Sequence, residues 1–364
     1  MRAREAGLAI GYLPTGPNNA ITDVKGVKVG HKRAWRGDPG GAELVTRSGV
    51  TAVIPHPGDL FRERLYAGVS VFNGYGEMTG NIVIDEWGLL GSPVMITDTV
   101  SIGRVYDATS AYMVEHDTEV YDVDVVMPVV AECDDGFLND NRAMPLTRED
   151  VFAAIEAATD GPVVEGCVGA GTGTQQFDFK GGIGTSSRVV EIQGTPFTVG
   201  VLLLTNYGNR HQLSVCGAPV GRRITDLMPE SHREGSCIGV VATDAPLHPR
   251  QLRRLARRVD VGLGRTGSVG NDGSGEIFVA FSTANRIPRG FERASFPIEV
   301  MIDGAFWTQG AAIDRLFEAV AEATEEAALN ALFKAETVIG RDGHVLHALP
   351  IDRTLDLLRG WHPI

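Results

Sequence analysis

The sequence is poor in cysteine, short of basic charge, and holds no long apolar run. Its four cysteines, Cys133, Cys167, Cys216 and Cys237, form no CxxC pair and have no tight spacing to histidine. That argues against a zinc site or a disulfide framework, and leaves buried free thiols as the expectation. Roughly 20 apolar residues are needed to cross a bilayer, and no run comes near that length. The N-terminal stretch MRAREAGLAIGYLP is basic but lacks an apolar signal core. A cytoplasmic protein with no membrane partner is therefore expected. Acidic residues outnumber basic ones, 46 to 33, for a net charge of −13. Such a field repels phosphate, so nucleic acid is not an expected partner, and the basic cluster Arg250, Arg253, Arg254, Arg257 and Arg258 reads as a solvated helix face. Cationic or neutral small substrates suit the balance better.

What is present is ample core material, 43% hydrophobic against 22% charged. A length of 364 residues admits two domains of about 150 or one large α/β unit. No repeat, low-complexity tract or linker marks a boundary, and the one organisational break is the hydrophilic TDLMPESHREG at 225–235. A single domain over 1–364 follows. Short β-branched runs punctuated by glycine, such as GVTAVIPH, YDVDVVMPVVAE and RVVEIQGTPFTVGVLLLTN, predict strands, several of them buried on both faces. Helices are predicted at 101–116, 147–158, 248–260 and about 306–334. Strands apolar on both faces need cover on both, so paired sheets with helices outside are expected.

The glycine-rich GCVGAGTGT of 166–174 invites a phosphate loop, yet no Gly-Lys-Ser/Thr follows and no helix opens behind it. It reads as a tight loop where backbone meets backbone. ECDDG, 132–136, closes an apolar strand with Glu132, Asp134 and Asp135. These are either solvated turn residues or, facing a cleft, an anionic pocket for an ammonium group. In GSVGNDGSGEIFVAFSTAN, 267–285, Ser274 and Glu276 stand two apart before the strand Ile277–Phe281. On extended backbone they point to one side and could orient an amine or hydroxyl; the alternative is a hairpin loop.

The stretch HREGSCIGVVATDAPL, 232–247, stops a charged approach at Gly235 and leads from Ser236 into an apolar strand. Gly-Ser before a strand is ordinary turn chemistry. It also meets the needs of a serine that becomes a chain terminus. No histidine sits in a motif with serine and aspartate, so a nucleophile here needs another base. A free α-amino group, with a pKa of about 7.7–8.0, is one. The hydroxyl makes that terminus by attacking the preceding carbonyl, and a glycine there obstructs least. The rival pair Gly267-Ser268 is followed by the polar loop VGNDGSG, which would hold a terminus less rigidly.

EGSCIGVVATDAPLHPRQLRRLARR, NDGSGEIFVAFSTAN, VGAGTGTQQFDFKGGIGTSSR and VVAECDDGFLND together resemble the self-processing aminopeptidases of the DmpA type, the L-aminopeptidase/D-esterase and β-peptidyl aminopeptidase group. The resemblance spans nearly the whole chain. It implies a four-layer αββα sandwich similar to that of ornithine acetyltransferase, cut between Gly235 and Ser236 into an α chain, 1–235, and a β chain, 236–364. It also implies that Ser236 is nucleophile and base, that Ser274 and Glu276 position its amine, that Asn206 stabilises the oxyanion, and that Glu132 holds the substrate's amino terminus. The substrate is then a small peptide or amino-acid amide, the chemistry requires no metal and no organic cofactor, and the assembly is a homo-oligomer, a tetramer of processed heterodimers. Family members commonly carry an aromatic residue where this sequence has Asp134, which adds negative charge near Glu132 and leads us to expect a preference for basic or polar N-terminal residues. An acyltransferase, an endo-type amide-oligomer hydrolase and a non-catalytic ligand-binding protein stay open as alternatives.

Overall fold

The computed structural model describes residues 1–231, 235–290, 295–306 and 310–361. The charged approach His232-Arg233-Glu234 lies outside them, as do residues 307–309 near the start of the last long predicted helix. In chain order the main strands are β1 (Lys28–Arg36), β2 (Thr46–Ile54), β3 (Glu63–Val71), β4 (Leu89–Leu90), β5 (Val94–Thr97) and β6 (Val129–Glu132), followed by β7 (Gln175–Gln176), β8 (Phe179–Lys180), β9 (Gly182–Ile192), β10 (Thr195–Asn206), β11 (Ser236–Thr243) and β12 (Glu276–Pro288). The helices are α1 (Asn81–Trp87), α2 (Ile102–His116), α3 (Arg148–Glu156), α4 (Pro249–Ala256), α5 (Arg258–Arg265), α6 (Ala312–Lys334) and α7 (Ile351–Arg359).

Two sheets pack face to face. One is four-stranded, β1-β2-β5-β6, and the other six-stranded, β4-β3-β12-β11-β10-β9. Strand alternation explains why so many runs are apolar throughout. In β10, Val199, Val201 and Leu203 face the core under α4, α5 and α6, while Leu202 and Leu204 face the core between the sheets. In β12, Phe278 and Ala280 take the first side and Ile277, Val279 and Phe281 the second. A third core, with Val105, Ala108, Val151 and Ala154 against Val50, Ala52 and Met95, seats α2 and α3 on the four-stranded sheet. The layers run helix, sheet, sheet, helix, the αββα sandwich expected.

Local chemistry sets several helix starts. Thr147 Oγ1 accepts from Asp150 N and Asp150 Oδ2 accepts from Thr147 N, a reciprocal cap that opens α3. His248 caps α4 through Arg250 N, with Pro249 in the first turn. The helix predicted over 248–260 is two helices. At Arg257 the backbone tightens to ψ −18°, and α5 turns onto α6, where Gly262 meets the backbone of Ala321. α1 and α7 were not predicted; α1 is a short segment bracketed by left-handed Gly80 and Gly88, and α7 begins directly after Pro350.

The arginines of α4 and α5 reach solvent, as a solvated helix face should, and make surface contacts there: Arg250 and Arg254 pair with Asp303, Arg253 with Asp85, and Arg258 lies 3.7 Å over the Phe317 ring. The expectation of four buried thiols needs correction. The thiols are all free, but Cys133 and Cys237 alone are buried. Cys216 is exposed because it occupies a tight turn with φ +49° between the bridged residues Val215 and Ala218. No helix among the described residues is long and apolar enough to cross a membrane.

Candidate active site

The sheet register assembles the site. Ser236 is the first residue of β11 and Asn206 the last of β10, and the antiparallel ladder sets them directly opposite each other. Both are buried, at 7% and 3% exposure. Asn206 Oδ1 accepts from Gln175 N at 3.0 Å, which turns its Nδ2 the other way, where it donates to the main-chain oxygen of Asp134 at 2.9 Å. Gly235 lies against the same residue. A Cβ on it would sit 1.6 Å from Asn206 O, so the uncut chain passes there only as glycine. Gly235→Ala or Gly235→Val is expected to displace the Gly235-Ser236 bond from Asn206 and to slow any cut there by at least about tenfold, read as the fraction of uncut chain over time by intact mass.

On the other side of β11, β12 runs parallel and pairs Glu276 with Cys237. Cys237 N donates to Gly275 O at 3.0 Å. Ser274, Gly275 and Glu276 therefore flank the start of β11. Ser274 Oγ donates to Glu276 Oε1, as the two-residue spacing predicted, and Ser274 and Glu276 are both buried. Glu276 Oε2 is buried with no hydrogen-bond partner among the described residues. Burial pushes the Glu276 carboxyl above its ordinary range while the Ser274 hydrogen bond works against it. Asp260, on α5, is pushed to about 7 by burial and by the negative charge of Glu276.

Glu132 ends β6 and pairs in parallel register with Thr97 of β5. It is 3% exposed, and both oxygens are held: Oε1 accepts from Glu77 N at 2.9 Å and Oε2 from the hydroxyl of Thr99. Burial raises its pKa, and the bond from Thr99 opposes the rise. A Cβ on Gly76 would lie 3.1 Å from Glu132 Oε1 and 3.5 Å from Gly275 Cα. The Glu132 carboxylate and the Ser274–Glu276 segment thus meet across that one glycine. Each oxygen of Glu132 keeps a lone pair beyond its existing partner, so the carboxylate has capacity to accept from a further donor. Asp134 is half-buried, and its Oδ1 accepts from Gly136 N at 3.1 Å and Asn141 Nδ2 at 2.9 Å.

The structure therefore brings Gly235, Ser236, Asn206, Ser274 and Glu276 to one end of the six-stranded sheet, with Glu132 at the end of β6 in the facing sheet and Asp134 on the loop that follows it. Gly267-Ser268 lies in irregular chain after α5. The loop at 166–174 has the close backbone approach expected: a Cβ on Gly173 would meet Arg47 O at 2.1 Å. Three contributors escaped sequence reasoning. Thr99 had a signal, because Asp98 before it caps the turn at Val100 N and Ser101 N. Glu77 and Gln175 act through main-chain N–H groups, which leave no mark in a sequence. No group of three or more His, Cys, Asp or Glu side chains among the described residues is placed to hold a metal ion.

Comparison with known proteins bears on the family and the fold. The chain is 42% identical over 367 residues to a β-peptidyl aminopeptidase, BapA, of Sphingosinicella microcystinivorans, covering 96% of this chain and 89% of the relative. Its fold matches a β-aminopeptidase of a Burkholderia species with a TM-score of 0.91 at 40% identity over 100% of both chains. It also matches the L-aminopeptidase D-Ala-esterase/amidase of Ochrobactrum anthropi, described as a prototype serine aminopeptidase with a variant Ntn hydrolase fold, with a TM-score of 0.90 at 42% identity over 99% of this chain and 98% of that one. Residues 19–346 match peptidase family S58; the chain belongs to that family and is a peptidase.

Proposed function

We propose that this peptidase is a self-cleaving aminopeptidase with an N-terminal serine nucleophile. Maturation begins when Ser236 Oγ attacks the carbonyl carbon of Gly235. The peptide nitrogen leaves as the α-amine of Ser236, and water hydrolyses the resulting ester to free the Gly235 carboxylate and restore the hydroxyl. The chain, a single αββα domain over 1–364, then consists of 1–235 and 236–364. In turnover the new amine takes the proton of Oγ, directly or through water, as Oγ attacks the scissile carbonyl. Asn206 Nδ2 donates to the oxyanion. The proton passes to the departing amine, and water hydrolyses the acyl ester on Ser236. Ser274 and Glu276 orient the Ser236 amine.

Glu132 supplies the exo specificity. A carboxylate so deeply buried is poorly served without a cation, and a substrate's terminal ammonium provides one. This favours trimming from a free amino terminus over endo cleavage of amide oligomers. The observation that carries the whole reading is the register, which sets Asn206 opposite Ser236 and Ser274–Glu276 alongside. Wild-type protein, denatured and weighed, should give two chains, the second beginning Ser-Cys-Ile, and should cleave amino-acid p-nitroanilides while leaving their N-acetyl forms intact. A single uncut chain that nonetheless hydrolyses them would overturn the reading of Ser236.

Asp134 replaces an aromatic wall with charge, and we read this as favouring lysyl- over leucyl-p-nitroanilide. A strong preference for leucine would refute that. The resemblance further leads us to a tetramer of processed heterodimers, for which the exposed side chains of Ile82, Trp87, Val123 and Val125 offer apolar surface. Four unpaired cysteines suit a reducing, cytoplasmic setting.

A further inference from the structure

We propose that Lys180 is a positioning residue for the oxyanion donor: its ammonium fixes the loop whose main-chain N–H aims Asn206. Lys180 is fully buried. Its Nζ donates to three main-chain carbonyls, Gly171 O at 2.9 Å, Thr174 O at 2.8 Å and Gly181 O at 2.8 Å. An ammonium has three N–H donors and no acceptor, so the match is complete in the charged form. Burial works against that charge, and a methionine of similar length would fill the same space with no desolvation cost. The cation must therefore do something that packing would not.

What it does is gather the loop. Nζ ties residues 171, 174 and 181 to one point, and Gly181 N closes the circuit by donating to Thr174 O at 3.1 Å. The next residue, Gln175, pairs with Lys180 itself in the β7–β8 hairpin. It is Gln175 N that donates to Asn206 Oδ1. The far end of that hairpin is clamped as well, since Arg210 donates from Nε to Phe177 O and from Nη2 to Asp178 O. Held at both ends, the hairpin presents one N–H at a fixed point. An asparagine amide has an acceptor end and a donor end, and fixing the first aims the second. Without the cation the three carbonyls lose their common partner and Gln175 N is free to drift, taking the aim of Nδ2 with it. Oxyanion donation is felt in the transition state and not in the binding of the substrate's ammonium at Glu132.

This proposal rests on the role given to Asn206 above, and a double-mutant cycle separates the two. Turnover of a lysyl p-nitroanilide and the rate of self-cleavage are measured for wild type, Lys180→Met, Asn206→Ala and the double variant, with folding checked by circular dichroism. Lys180→Met is expected to lower kcat by about 10- to 100-fold with KM within about twofold, and to slow maturation alongside; Asn206→Ala should cost about 10²- to 10³-fold in kcat. In the Asn206→Ala background, Lys180→Met should then cost less than about twofold, because its only route to the chemistry is gone. Effects that multiply, or a folded Lys180→Met variant with wild-type kcat, would overturn the positioning role while leaving Asn206 in place. Full activity in Asn206→Ala would remove the parent reading and this one together. If Lys180→Met does not fold, Lys180→Gln, which keeps two donors, carries the same cycle with a smaller expected loss.

Discussion

Ser236→Ala is expected to remain one chain of 364 residues where the wild type should separate, on denaturation, into 1–235 and 236–364, and its kcat/KM is expected to fall by at least about 10⁴-fold. Two losses coincide in this substitution. The hydroxyl that attacks Gly235 is missing, so no amine is released, and the hydroxyl that would form the acyl ester in turnover is missing too. The variant should fold as the wild type does, because alanine fits the start of β11 and the Asn206–Ser236 ladder pair needs main-chain groups alone. Intact mass and nitroanilide hydrolysis read the two losses separately. A Ser236→Ala protein that is still cut at 235/236 would place the nucleophile elsewhere, and one that is uncut but active would make the cut irrelevant to turnover.

The second large effect is expected at Glu132. Glu132→Gln preserves shape and keeps a partner for Thr99 and for Glu77 N, but leaves the substrate's ammonium facing a neutral amide. Breaking a buried ion pair costs about 3–5 kcal/mol, or about 150- to 5,000-fold in kcat/KM. Discrimination between free and N-acetylated substrates should collapse with it. The same change alters stability in the opposite sense. Because burial raises the folded-state pKa of Glu132, the folded chain holds a proton in a range where the unfolded chain has released it. Stability is then lost as pH rises from the unfolded value, about 4.3, through the raised one, and stays reduced above it. Glu132→Gln carries no such penalty, so it should melt higher than wild type at pH 8 and lose that advantage below about pH 4. Thermal unfolding against pH checks this; equal melting curves throughout would mean that the Glu132 carboxylate is already compensated without substrate.

Much of this was legible in the chain. Runs such as Val199–Leu204 are apolar at every position because alternate residues serve two different cores, and that alone called for four layers. Ser236 and the Ser274–Glu276 pair stand out by residue type and spacing, and the register places them side by side. Asn206 and Glu132 needed the resemblance, because an isolated asparagine or glutamate at a strand end has many ordinary uses. The supporting groups were hidden for a plainer reason. Gln175 and Glu77 contribute main-chain N–H groups, identical in every residue but proline, and Lys180 contacts carbonyls that only the folded loop brings together. The break between α4 and α5 was equally silent, since Arg257 is a good helix former and the turn there follows from how α5 meets α6.

The strand order of the larger sheet bears on how this protein can be remade. β11 and β12 lie between β3 and β10, so a cut at 235/236 leaves two strands of the second chain inserted between strands of the first, with hydrogen bonds to it along both edges. One continuous chain reaches that arrangement by a unimolecular route. Once severed and unfolded, the two pieces must find each other in solution, and neither can complete the sheet alone. Maturation by such a cut would therefore convert folding into a second-order event: the severed protein would be a state reached once, through its precursor, and held afterwards by the slowness of its own unfolding.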